Sequence, residues 1–179
     1  MRNGNSKLVM RRDSLTDLPQ LKIPEGYSLR SFQPSDVTEW ENVIRISFAR
    51  EIAFGDKIGF QPPFQPEKIL FLCHQDMIVA TAVAWEKEDS DPRCGYLHMV
   101  GALPGYSGQG LGYTIVLAAL HRMREEGKRQ AVLETDDFRL AAIRVYYKLG
   151  FLPVLLDRDH RDRWAIISNQ LPTVSRRDL

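Results

Sequence analysis

Gly105, Gly108, Gly110 and Gly112 punctuate one stretch, Val100-Gly-Ala-Leu-Pro-Gly-Tyr-Ser-Gly-Gln-Gly-Leu-Gly112, which runs straight into Tyr113-Thr-Ile-Val-Leu-Ala-Ala-Leu-His-Arg-Met-Arg-Glu-Glu126. Residues without a Cβ allow positive φ and close backbone approach, so consecutive N–H groups can converge at the start of a helix, where the macrodipole favours an anion. The chemistry on offer is pyrophosphate binding by backbone amides. Leu111, Ile115, Ala119 and Met123, with Val116 and Leu120 beside them, recur at helical spacing, and Gly127 stands where a C′ residue ends such a helix. Ahead of the glycines, residues 95–103 have the aromatic and aliphatic density of a strand, which Pro104 ends by removing a ladder donor.

What the loop lacks narrows the ligand. A Walker A loop needs Lys and then Ser or Thr after its second glycine, but Gly110 is followed by Leu111. A dinucleotide fingerprint begun at Gly108 would place its third glycine at Tyr113. The pattern that remains resembles the GNAT superfamily, the GCN5-related N-acetyltransferases that use acetyl-coenzyme A. Their central signature of Arg or Gln, two residues, Gly, one residue, then Gly or Ala falls on Ser107-Gly-Gln-Gly110-Leu-Gly112, with Ser107 in place of the usual first residue. A later family motif, Ala-x-x-x-Tyr-x-x-x-Gly-Phe, is matched by Ala142, Tyr146, Gly150 and Phe151. There Arg139 stands where asparagine is common. The two motifs cover roughly residues 95–152 in the family's order and spacing. The N-terminal pattern ending in Pro24-Glu-Gly-Tyr27 is similar to GNAT proteins related to mycothiol synthase, which does not identify an acceptor.

Bulk properties exclude other classes. At 179 residues the chain can bury one proper core, and a single domain over 27–170 is expected, with an extension over 1–26 and a tail over 171–179. Twenty-four basic residues against 23 acidic ones create no global field, so nucleic acid and anionic membranes are not expected partners. With no apolar run of spanning length and no secretory leader, the cytoplasm is the expected location, and a monomer or homodimer the expected state. Cys73 and Cys94 lack the spacing of metal ligands or of a disulfide framework, so no metal is expected.

The elements that must position the loop can be read in order. Residues 8–12 suggest a short edge strand or a disordered tail, residues 27–32 a first core strand, and Pro34 the first turn of a helix reaching Phe48, with Val37, Trp40 and Ile44 inward. Residues 50–66 are irregular; Phe54, Phe60 and Phe64 either line an acceptor wall or cover an edge of the core. Residues 68–74 and 77–85, separated by Gln75-Asp76, predict a hairpin. A strand at 131–136, a helix at 138–149, and closing strands near 151–156 and 164–168 complete an α/β (α+β) fold. Its sheet should be mixed, mostly antiparallel and twisted, with helices on both faces, as the resemblance also implies.

The resemblance implies acetyl transfer to a primary amine by direct attack in a ternary complex, on a small-molecule or peptide acceptor. It assigns coenzyme A to Val100, Gly101, Ala102, Leu103, Gly108, Gln109, Gly110, Leu111, Gly112 and Tyr113, with the pantetheine arm between two splayed strands. A strand disrupted at Gly101 and stopped by Pro104 should leave amides open near Val100 to Leu103 for the oxyanion. Tyr146 becomes the candidate general acid, with Tyr147 elsewhere on the helix. Acidic residues are missing from residues 95–103, so the base candidates are His98, on the same face as Tyr96, together with Glu134, as base or amine contact, and Glu86, or a water chain. The alternative class is a coenzyme A-binding sensor without turnover, suggested by Ser107, Arg139 and the missing acid.

Overall fold

The structure, a computed structural model, describes residues 6–59, 64–87 and 90–171. One sheet contains β1 Leu8–Arg12, β2 Tyr27–Ser31, β3 Ile69–His74, β4 Met77–Trp85, β5 Cys94–Ala102, β6 Gln130–Thr135 and β7 Leu152–Val154. Its order is β2-β3-β4-β5-β6-β1-β7, and only β5 and β6 run parallel. The helices are α1 Val37–Phe48, the single turn α2 Phe54–Lys57, α3 Leu111–Glu125, α4 Leu140–Lys148 and α5 Arg158–Gln170. On one face α3, α4 and α5 bury Ile115, Leu120, Ile143, Leu149 and Trp164 against Leu72, Leu97 and Leu133. On the other, Trp40, Ile44 and Phe54 pack on Phe71, Val83 and Met99. The expected mixed sheet with helices on both faces is therefore present. Among the described residues no helix is long and apolar enough to cross a membrane.

Local chemistry explains most boundaries. Gln75 and Asp76 both take positive φ, 48° and 68°, the mirror-image two-residue turn whose twist suits a hairpin. Gly127 at φ 82° closes α3, and Gly150 at φ 77° follows α4. Three readings need correction. Residues 164–168 are helical within α5. Asp157 caps that helix by accepting from the His160 amide at 2.8 Å, and His160, Trp164 and Ile167 recur on one buried face while Ile166 is exposed. β1 is neither edge nor tail, since Leu8 and Met10 are fully buried and the strand lies between β6 and β7. Its Arg12 misleads because the guanidinium is buried, bonding the Leu149 carbonyl and Asp17. Residues 27–31 instead form the edge strand β2. Phe54 stacks on Phe32 at 4.9 Å and Phe64 packs beside them, so these two rings cover the core; Phe60 and residues 172–179 lie outside the described residues.

The feature that makes the site is a bulge. Thr81 opposes Gly101 and Val83 opposes His98, so Met99 and Val100 share one partner, and Met99 takes φ 46°. The extra residue turns the strand over. Before it, Gly95 abuts Met123 of α3 and Leu97 joins the α3 core; after it, Met99 and Gly101 face α1. Pairing between β5 and β6 runs only from Cys94 with Gln130 to Leu97 with Leu133, and beyond that the strands part. The disruption expected at Gly101 thus sits at Met99.

Gly101 is glycine for another reason. A Cβ there would lie 2.9 Å from Ser47 Oγ and 3.2 Å from Ile44 Cδ1, and Ser47 also donates to the Ala102 carbonyl at 3.1 Å. Gly101→Ala should push α1 from β5 and cost about 1–3 kcal/mol, read as a lower denaturant midpoint at unchanged m value. Gly105→Ala, whose Cβ meets nothing within 4 Å, is the control and should leave the midpoint in place.

Candidate active site

After β5 the chain makes a single 3-10 turn at Pro104–Tyr106 and enters the glycine loop. Gly108 and Gly110 stand at φ 81° and 75°, and a Cβ on either would meet no protein atom, so left-handed backbone rather than crowding demands glycine there. Gly110 is the N-cap of α3, which has no side-chain cap and no acidic residue in its first turn. The first amides of a helix have no intrahelical acceptor. Those of Gly110, Leu111, Gly112 and Tyr113 find no other acceptor among the described residues. Gly112 lies within α3, where glycine costs about 0.5–1 kcal/mol relative to alanine, yet its Cβ would make only an ordinary 3.9 Å contact with Val145. Nothing in the fold requires glycine at that position. The loop is fixed from its flank by the Tyr27 hydroxyl on Gln109 and by the Tyr27, His74 and Tyr106 rings, whose centres are 5.1–6.4 Å apart.

The reacting groups expected from sequence gather where β5 and β6 part. Tyr146, on α4, is 3% exposed and packs on Phe151; burial pushes its phenol up, so it stays protonated through the neutral range. Burial also pushes the Tyr96 phenol up, with the Glu134 carboxylate and Tyr146 adding to the shift. His98 stacks on Tyr96 at 5.3 Å and lies 6.4 Å from Trp85. Burial holds its imidazole down at about 4, and the Lys57 ammonium contributes in the same direction. Glu134 is ion-paired to Lys87, which lies 5.0 Å over the Tyr96 ring.

Other expected residues are not brought into this cluster. Glu86 is tied to Lys68 at 2.5 Å and Lys128 at 3.3 Å, and the Lys68 hydrogen bond leads in holding its carboxyl down. Tyr147, expected elsewhere on the helix, packs on Trp164. The Leu103 amide, expected to be open, donates to the Val79 carbonyl at 2.9 Å and is not available to an oxyanion. Two contributors escaped the sequence reading. Met99 carries no mark of the bulge it forms, since most bulges with positive φ recruit glycine. Arg139 registered only as a departure from a motif, yet its Nη2 donates to the Val100 carbonyl at 3.0 Å across the gap. Among the described residues no group of three or more His, Cys, Asp or Glu is placed to hold a metal ion.

A mixed sheet opened between its two parallel strands, with an uncapped, glycine-led helix beside the opening, defines the architecture of an N-acetyltransferase. The chain belongs to the acetyltransferase (GNAT) family, whose model matches residues 35–151. Among its relatives, the mycothiol acetyltransferase of Streptomyces griseus is 32% identical over 153 residues, covering 81% of this chain and 49% of the relative. That of Nocardia farcinica is 32% identical over 173 residues, covering 88% and 56%. The chain therefore spans about half the length of the curated relatives it matches. A GCN5-related N-acetyltransferase from Sphaerobacter thermophilus shares the fold with a TM-score of 0.64 at 21% identity, over 82% of this chain and 48% of that one.

His98 gives this cluster a pH signature. Its folded pKa of about 4 lies below its ordinary 6.5, so the unfolded chain takes up the proton first as pH falls. The stability due to keeping this imidazole neutral is intact above about 6.5 and is lost as pH drops toward 4, by at most about 1.4 kcal/mol per pH unit. The melting temperature of His98→Gln should fall less steeply over that window than that of the parent; parallel curves would place the imidazole in solvent.

Proposed function

We propose that this chain is an acetyl-coenzyme A-dependent N-acyltransferase that moves an acetyl group to a primary amine by direct attack in a ternary complex. The observation that carries the reading is the acid-free, uncapped start of α3, led by left-handed Gly108 and Gly110 and opening beside the parted β5 and β6. Acetyl-coenzyme A is a substrate here and supplies the activated thioester. Amides from Gly108 to Tyr113 hold its pyrophosphate, and the stretch of β5 at Val100 to Ala102, unpaired with β6, takes the pantetheine arm in the manner of the family. The Val100 amide is assigned to the developing oxyanion.

Tyr146, held neutral by burial, protonates the departing thiolate. The base is a different matter. An imidazole at about 4 is neutral but too weak to keep an ammonium proton, so His98 orients water by hydrogen bonding and the proton leaves through water to bulk solvent, past Glu134 at the exposed rim. The acceptor is a small-molecule or peptide amine, and that of the mycothiol acetyltransferases is the first to try, with the reserve that only half of those proteins is matched. A coenzyme A-binding module without turnover is the second reading, favoured by the Arg139 contact that occupies the Val100 carbonyl.

Coenzyme A at about a hundredfold over its dissociation constant should add roughly 2.7 kcal/mol of stability, visible as a melting shift. Gly110→Val places a branched residue at positive φ where backbone and phosphate meet, so it should remove most of that shift while far-ultraviolet circular dichroism is unchanged. No shift in the parent with coenzyme A or acetyl-coenzyme A would remove the donor from the reading. With an acceptor found by thiol release, Tyr146→Phe should lower turnover about a hundredfold with coenzyme A affinity intact, and Tyr147→Phe should not. Parent-like turnover in Tyr146→Phe makes the tyrosine a core residue; tight coenzyme A binding with no acceptor at all favours the module.

A further inference from the structure

Arg139 is the N-cap residue of α4, just after β6, and its guanidinium reaches across the gap to β5. There it donates to the Val100 carbonyl at 3.0 Å and lies 4.1 Å from the centre of the Phe48 ring, at the end of α1. The buried or half-buried Arg12, Arg30 and Arg163 each hold an aspartate. Arg139 does not, since no carboxylate among the described residues is within ion-pair distance of it. A guanidinium offers five donors in a fork that matches a carboxylate, and here its partners are one neutral carbonyl and one ring. A neutral partner holds it less strongly than a carboxylate would.

Phe48 places Arg139 on the α1 side of the sheet. That side also carries Tyr96, His98 and Trp85, and it lies across the sheet from α3 and its phosphate loop. Lys57, Lys87 and Glu134 are charged groups that act on His98 at this mouth, and Glu134 is committed to Lys87. Arg139 is the bidentate cation here without an acid among the described residues. A carboxylate gains from such a guanidinium what a neutral or cationic group does not.

We propose that Arg139 is a carboxylate-binding, specificity-determining residue. One of the two substrates carries a carboxylate, on the acceptor amine or on the acyl group, and this carboxylate takes the guanidinium over from the Val100 carbonyl. The exchange frees the edge of β5, so recognition of the carboxylate and opening of the gap occur together. The proposal rests on the acyl-coenzyme A-dependent reading.

Calorimetry on the full chain separates the two. Coenzyme A is titrated first into the parent and into R139Q and R139K; failure of the parent to bind it overturns the donor reading and this proposal together. Succinyl-coenzyme A is then compared with acetyl-coenzyme A. On coenzyme A-saturated protein, a pool of N-acetyl amino acids is compared with the matching N-acetyl amino acid amides. The first comparison reports a carboxylate on the acyl group, the second one on the acceptor. In one of them the parent should favour the carboxylate member by about tenfold or more, the scale of a charge-assisted pair. R139Q should lose that preference while still binding coenzyme A, and R139K should restore part of it. A mere structural brace would shift the melting point of R139Q without altering either preference. If the parent discriminates in neither comparison, or R139Q keeps the preference, Arg139 is not a carboxylate reader, and the donor reading stands on its own titration.

Discussion

A single residue in a conformation it does not prefer sets the geometry of this molecule. Met99 at φ 46° inserts an extra position into β5, and two consequences follow from the same insertion. The inward face of the strand changes from α3 to α1, so one strand serves both layers of the core. The parallel ladder with β6 does not continue past the slip, so two central strands separate in the middle of the sheet. Left-handed backbone at a non-glycine residue costs of order 1–3 kcal/mol and persists only where the surroundings impose it. Here they do: Met99 is 8% exposed within the α1 core, Gly101 lets Ser47 and Ile44 close down behind it, and Leu103 is anchored to Val79.

A gap in a sheet needs firm banks, and charge chemistry supplies them. The turn from β6 to α4 is held at Asp137 by Arg163 of α5, which also bonds Asp159 at 3.0 Å and the Ser6 carbonyl at 2.8 Å, while Lys7 takes Asp136. At the other end of α4, Arg12 bonds the Leu149 carbonyl. These contacts come from the first strand and the last helix, so the far ends of the described chain fix the element that carries Tyr146 and Arg139. On the opposite bank the glycine loop is gripped by Tyr27 through Gln109. The site is thus positioned by residues that take no part in its chemistry.

How much of this could be read from the residues divides along physical lines. The α3 stripe, the glycines at its start and end, the Gln75-Asp76 hairpin and the Tyr146 helix were legible because periodicity, punctuation and turn chemistry are local. The α5 segment was misread because Trp164, Ile166 and Ile167 are apolar neighbours that mimic a strand, and only docking onto the core decides which of them is inside. β1 could not be placed from its own residues because the strands that pair with it, β6 and β7, lie far along the chain. The bulge was invisible for a deeper reason. Met99 has no local propensity for its conformation, and the strain is imposed by contacts with α1 and β4 that no stretch of sequence displays. Arg139 could be noticed as unusual but not placed, since the carbonyl it binds belongs to another strand.

The place of β1 in the sheet bears on how the chain reaches this state. Residues 27–102 can assemble β2 to β5 as neighbours in chain order, needing nothing that comes later. The rest of the sheet cannot be built in sequence order: β1, at residues 8–12, must wait for β6 at residues 130–135 and then for β7 at 152–154. Closing such long loops is slow compared with forming hairpins. During synthesis, therefore, Leu8 and Met10, which end fully buried, remain without either neighbour until nearly the whole described chain has left the ribosome. The half of the sheet that frames the gap is the last to form, and an emerging chain meets its quality control with that apolar strand still exposed.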